Sequence, residues 1–152
     1  MKLYYFFGKL LRPFGLAGLW AFSHLTRMPR VRIVVRNEHN EILLVKSWLG
    51  GDEWGFPGGG VSRRELPEAA ACRELEEETG IAVTKNSLEF VGVIHSWGHD
   101  EIIYSLQTSS NSLPVKPPSP FEIQEAAWFS IDTLPRLGTL AKEITEKVVV
   151  NR

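Results

Sequence analysis

Apolar residues recur along this chain at two different periods. Leu3, Phe6, Phe7, Leu10, Leu11 and Phe14 follow one face of a 3.6-residue repeat, with Lys2, Gly8, Lys9 and Arg12 off it. Pro13 ends or kinks this predicted helix, and a second apolar run fills residues 14–22. That run is well short of the roughly 20 residues that span a bilayer, so no transmembrane segment is expected. Lys2, the apolar run and Ala21-Phe22-Ser23 only weakly imitate a signal peptide, and Pro13 and Trp20 argue against one.

From residue 30 onward the pattern changes. A β-branched run at 31–35, the turn cluster Asn37-Glu38-His39-Asn40 and a second run at 41–46 predict a hairpin. Residues 48–60 form a Gly-rich loop. Residues 67–79 predict a helix, with Pro67 in its first turn, Ala69-Ala70-Ala71 favouring it and Gly80 stopping it. Two strands are expected at 88–95 and 101–107, joined by Gly98-His99-Asp100. A Pro/Ser-rich loop at 108–120, a short strand at 126–129 and a closing helix at 140–149 complete the chain. Mixed strands with one central and one terminal helix predict an α/β class, a sandwich around a mixed sheet with a helical appendage in front.

Charge sharpens this division. The net charge is −1, which argues against a global field for duplex nucleic acid. Residues 1–36 nevertheless carry seven basic groups and no acid, while the other 116 residues carry ten basic and eighteen acidic groups. Seven of the sixteen aromatics fall in the first 22 residues. The head reads as an arm packed on its own domain or on a second copy of the chain. A basic amphipathic helix at a membrane surface is the second reading. Cys72 is the single cysteine, which excludes an internal disulfide and Cys-based zinc sites and fits a cytoplasmic setting.

The central helix breaks a local rule. Glu74, Glu76, Glu77 and Glu78 crowd its last turns, where acids oppose the macrodipole and repel one another. Folding alone gains nothing from that, so the conflict points to function. Glu74, Glu77 and Glu78 stand at i, i+3 and i+4 and share one face. Clustered carboxylates without thiols or paired histidines suit a hard divalent cation, Mg²⁺ or Mn²⁺. A solvated acidic face is the plain alternative, and the loop in front of the helix shifts the balance away from it. Cys72, Leu75 and Thr79 are expected on the core side.

Loop and helix together read Gly59-x5-Glu65-x7-Arg73-Glu74-Leu75-x-Glu77-Glu78-x-Gly80-Ile81. This resembles the Nudix hydrolase family, whose box is matched at every fixed position. Chance would produce that match in a chain of this composition less than about once in a million. Trp54-Gly55-Phe56-Pro57-Gly58-Gly59-Gly60 resembles the family's entry to the box, and residues 122–135 its acidic, Trp-Phe and Leu-Pro tail. The expected organisation is an arm at 1–29 and a Nudix-type domain at 30–152. Two departures touch no proposed ligand: Leu66 precedes Pro67 where Ser or Asp is common, and Arg63-Arg64 replace a turn-forming Pro-Gly.

The resemblance implies a Mg²⁺-dependent pyrophosphohydrolase that cleaves a nucleoside-diphosphate-linked small molecule by water attack at phosphorus. Carried over by position, Glu77 and Glu78 are metal ligands and Glu74 a ligand or the general base. The carbonyl of Gly58 or Gly59 completes the coordination. Glu65 and Arg73 pair to lock the loop onto the helix, and Gly80 ends it; contact of Arg73 with phosphate is the alternative. Glu122 is the first candidate for a base or ligand outside the box, ahead of Glu125 and Glu101, which read as ordinary surface acids. Lys46 is a candidate phosphate contact, and Trp48 and Trp97 are candidate substrate contacts. Position 97 lacks the Pro of ADP-ribose hydrolases, and Tyr104 lies further on than the Tyr of diadenosine-polyphosphate enzymes. Two other readings stay open: a Nudix-fold sensing module without turnover, and an isoprenyl diphosphate isomerase, which would need a cysteine in the pocket.

Overall fold

Along β1 (Arg30–Asn37) Val31, Ile33 and Val35 point to one face of the sheet, and Arg32, Val34 and Arg36 to the other. The computed structural model describes residues 28–109 and 122–150. Nearly all of the arm expected at 1–29 lies outside them, as do Phe121 and all but the start of the loop expected at 108–120. Among the described residues no helix is long and apolar enough to cross a membrane.

β1 runs antiparallel to β2 (Glu41–Ser47) through the expected hairpin and parallel to β5 (His99–Thr108) over its full length. The Asn37 side chain builds the hairpin turn by accepting from the N–H groups of His39 and Glu41. β4 (Glu89–Ser96) pairs antiparallel with β5 and forms one edge. β6 (Ile123–Ser130) lies along the outer side of β2 and is twice as long as the strand expected at 126–129. Its extra residues carry too little apolar alternation to be read as strand, and pairing with β2 extends them.

The Gly-rich stretch is more ordered than a loop. Trp54–Gly55 forms β3, paired with Val45 and Lys46. The chain then runs beside β1: Val31 N–H donates to the Gly59 carbonyl, Ile33 N–H to Pro57, and Val61 N–H to Pro29. Residues 54–61 thus fill the gap where β1 and β2 splay apart.

Helix α1 (Pro67–Thr79) matches the expected span. Gly80, at φ 77°, sends its N–H to the Glu76 carbonyl and ends the helix. Leu66 offers no side-chain cap at the other end. Ala70, Ala71, Leu75 and Thr79 are buried against Val31, Ile33, Leu43 and Tyr104. Cys72 is half-buried. On the opposite face α2 (Thr139–Ile144) continues as a π-helical turn, Thr145–Val149, so the closing helix is present but changes winding. Ala141, Ile144 and Val148 cover Val34, Ile42, Leu44 and Ile103. The result is an α/β/α sandwich around a six-stranded mixed sheet.

One turn differs from expectation. β4 and β5 are joined by Trp97-Gly98, at φ 54° and 83°, not by Gly98-His99-Asp100. Two positive-φ residues suit the twist of a two-residue hairpin, so pairing runs up to Ser96 and His99.

Candidate active site

The site gathers where the Gly-rich segment crosses the last turns of α1. Gly58 takes φ 142°, and a Cβ there would lie 2.1 Å from the Val31 carbonyl oxygen. Only glycine lets the segment approach β1 so closely. Its N–H donates to Glu78 Oε2 at 2.7 Å, and its carbonyl accepts from Arg32 Nη1 at 2.8 Å. At Gly59 a Cβ would meet the Glu74 carboxylate at 2.6 Å. The glycines therefore make room for two glutamates.

Burial sets the electrostatics. Glu78 is 9% exposed, and burial pushes its carboxyl up to about 7 against the pull of the Gly58 N–H and Arg32. Burial also raises Glu74, with Arg73 opposing and Glu77 and Glu122 reinforcing. Glu122 acts on Glu78 in the same sense, so an exposed acid just before β6 stands within electrostatic reach of both. Its carbonyl accepts from Trp48 N–H.

Arg73 holds the helix face together. Its Nε and Nη2 bind both Glu65 oxygens at 2.9 and 3.0 Å, and Nη2 also reaches the Gly60 carbonyl. The Glu65 carboxyl is drawn down to about 2, first by that hydrogen bond. Arg73 Nη1 contacts Glu74 at 2.8 Å and Glu77 at 3.3 Å, which the expected Glu65 pair alone did not include. The Glu77 side chain is 49% exposed. Among the described residues no three His, Cys, Asp or Glu side chains form a ready-made metal site. The donors are nonetheless all oxygen, and the space a Cβ would fill at Gly59 lies against Glu74. The carbonyls of Gly58 and Gly59 each already accept one protein hydrogen bond and keep a second lone pair.

The other candidates fall in different places. Trp97 is 72% exposed and lines a cavity of about 320 Å³ between the sheet and the start of α2, with Arg32, Trp54, Phe56 and Leu140. Lys46 and Trp48 do not line it. Lys46 pairs with Asp52 at 3.3 Å. Glu125 sits opposite Lys46 on β6. Glu101 is no surface acid: it is 3% exposed and binds Arg32 Nε at 3.1 Å, with Arg30 at 3.8 Å. Cys72 is two residues before Glu74, about 200° round the helix, and burial raises its thiol.

Arg32, and the burial of Glu101 against it, are not read from the sequence alone. A signal existed: Arg30 and Arg32 alternate with Val31 and Ile33 in a strand whose neighbours are apolar throughout, which places charge on a buried face.

The NUDIX domain model matches residues 26–148. This chain belongs to the Nudix family. An RNA pyrophosphohydrolase of Saccharophagus degradans is 39% identical to it over 69 residues, 45% of this chain and 39% of that protein. The m7GpppN-mRNA hydrolase dcap-2 of Caenorhabditis elegans is 32% identical over 109 residues, 68% of this chain and 13% of that protein. The Nudix chain thus spans less than half the length of these curated relatives. The solved MutT NUDIX hydrolase of Burkholderia pseudomallei superposes with a TM-score of 0.62 at 29% identity, covering 79% of this chain and 98% of that one.

Proposed function

We propose that this Nudix protein is a divalent-metal-dependent pyrophosphohydrolase acting on a nucleotide-type diphosphate by water attack at phosphorus. The observation that carries the reading is the pair Glu74 and Glu78, held in partial burial by glycines that any side chain would displace. Burial disfavours the ionised form of both despite Arg73 and the Gly58 N–H, and a cation would offset that cost. Glu74, Glu77 and Glu78 hold Mg²⁺, or Mn²⁺ in its place, with the Gly58 or Gly59 carbonyl. Bound there, the ion supplies charge neutralisation of the diphosphate and acidification of water.

The protein's own groups do the rest. Arg73 yields Glu74 and Glu77 while Glu65 keeps it on the loop. Glu122 or Glu74 accepts the proton of the attacking water. Trp97 covers the nucleoside side of the substrate, and Lys46 and Trp48 contact the phosphate chain from the end of β2. Residues 1–29 act as an arm outside the domain that spans 30–152. They cover that domain or a second copy of the chain or, as the second choice, touch a membrane surface. The setting is cytoplasmic.

The test is a panel of nucleoside triphosphates, nucleotide sugars, ADP-ribose, dinucleotides and a 5′-triphosphorylated RNA. Each is incubated with Mg²⁺ or Mn²⁺ and scored for phosphate or pyrophosphate release. At least one should be cleaved, and folded Glu77→Gln should lose roughly a hundredfold or more in kcat, as loss of a charge-stabilising group does. Full activity in Glu77→Gln, or no cleavage with either metal, would overturn the reading and favour the sensing module.

A further inference from the structure

The cavity beside Trp97 has a charged floor that the chemistry above leaves unused. Arg32 lies on β1, a strand in the middle of the sheet, where an unpaired guanidinium would be costly. Glu101, on the adjacent β5, meets that cost: its Oε2 accepts from Arg32 Nε at 3.1 Å and its Oε1 stands 3.8 Å from Arg30 Nε. The Gly58 carbonyl takes Nη1 at 2.8 Å. Two anchored nitrogens fix the plane of the guanidinium. Its third nitrogen, Nη2, has no hydrogen-bond partner among the described residues. Arg32 lines the cavity with the aromatic and apolar Trp54, Phe56, Trp97, Leu140 and Ile144, and with Glu53, which Arg136 pairs at 3.2 Å, and Thr139 among its polar lining.

Flat aromatic and apolar walls suit a planar ring better than a hydrated phosphate. Gly58 links this cavity to the glutamates, since its carbonyl faces Arg32 while its N–H faces Glu78. A ring in the cavity therefore sits one residue's width from the acid cluster. An arginine offers donors and no acceptor, so it selects an edge made of acceptors. Guanine presents O6 and N7 together; adenine presents a donor beside N7.

We infer that Arg32, braced by Glu101 and the Gly58 carbonyl, is a specificity-determining residue that selects a nucleobase with an acceptor-only edge, guanine before adenine. Glu101 is a positioning residue that acts through Arg32. The inference rests on the nucleotide reading above but not on turnover, so the two fail separately.

The test uses the full chain without metal and the mononucleotides GMP, IMP and AMP, followed by calorimetry or by quenching of tryptophan fluorescence. IMP keeps O6 and N7 but lacks the 2-amino group, so it isolates the edge in question. GMP and IMP should bind about tenfold more tightly than AMP, because AMP turns a donor to Nη2 where they present O6. In Arg32→Gln the side chain offers an acceptor beside its donors, and the GMP/AMP ratio should fall to one or below. Arg32→Met should bring it towards one, and if it does not fold, Arg32→Gln decides. Equal binding of GMP and AMP by wild type would mean that Arg32 takes phosphate, and would overturn the inference. So would a GMP preference that survives Arg32→Gln, or no mononucleotide binding at all.

Discussion

Gly58 and Gly59 are neighbours, yet a methyl group added at each would meet different chemistry. At Gly58 it would collide with the Val31 backbone at a positive φ, and β1 cannot move without breaking its ladder with β5. At Gly59 it would meet only the end of the Glu74 side chain, which can swing away. Gly58→Ala should therefore cost roughly 3 kcal/mol or more of stability, combining strain with overpacking. Gly59→Ala should change the unfolding midpoint little and remove most hydrolytic activity. Denaturant melts beside kcat measurements separate the two. The buried acids give a second prediction. Burial holds Glu78 up to about 7 in the metal-free fold, against its ordinary value of 4.5 when unfolded. Between those values the folded state binds more protons than the unfolded state. The stability contribution is full below the unfolded value and is lost as pH rises through 7. Glu65 runs the other way: held at about 2, it stabilises above its unfolded value and the effect is lost as pH falls towards 2. Thermal melts without metal should peak at mildly acid pH and decline on both sides. In Glu78→Gln the decline between pH 5 and 8 should flatten; an unchanged slope would place the proton elsewhere.

Elements were legible in proportion to how local their causes are. α1 was read to its ends because Pro67, the alanine run and Gly80 act within the helix itself. The hairpin at Asn37–Asn40 was equally readable, since one asparagine side chain builds it. The box glutamates stood out because they violate helix electrostatics in sequence. Non-local causes were hidden. β6 gains its length from β2, β3 exists only because β1 and β2 diverge, and the Arg32–Glu101 pair joins residues 69 apart. The β4–β5 turn was misplaced for a related reason. Trp97 is a poor residue at positive φ, and its sequence carries no sign that it starts the turn. A bulky aromatic is strained at φ 54° where asparagine would fit, and its ring lines the cavity beside Arg32. Trp97→Asn should leave the fold intact or up to about 1 kcal/mol more stable, because asparagine tolerates this conformation. The same variant should raise KM for nucleotide substrates several-fold with a smaller effect on kcat. A KM unchanged from wild type would assign Trp97 to surface cover alone.

At the scale of the whole molecule the charge distribution becomes a statement about metal. The chain carries −1 in total, but residues 37–152 carry −8, and part of that excess is concentrated at Glu74, Glu77, Glu78 and Glu122. The cluster faces the Gly-rich segment, and that segment bridges β1, β2 and α1. A cation placed there would relieve repulsion at the junction of three elements, so its effect should be read by the entire fold. Binding to the folded state alone stabilises by about 2.7 kcal/mol at a hundred times the dissociation constant. For a domain of this size that shifts the midpoint by several degrees. Mg²⁺ and Mn²⁺ should raise the melting temperature in a concentration-dependent way at pH 8, whereas Na⁺ at matched ionic strength should not. The increment should shrink at pH 5.5, where Glu78 holds a proton that the ion must displace. Glu77→Gln should melt near the wild-type temperature without metal, because its exposed carboxylate contributes little to folding, and should lose most of the metal increment. A variant that keeps the full increment would remove Glu77 from the ligand set while leaving Glu74 and Glu78 in place.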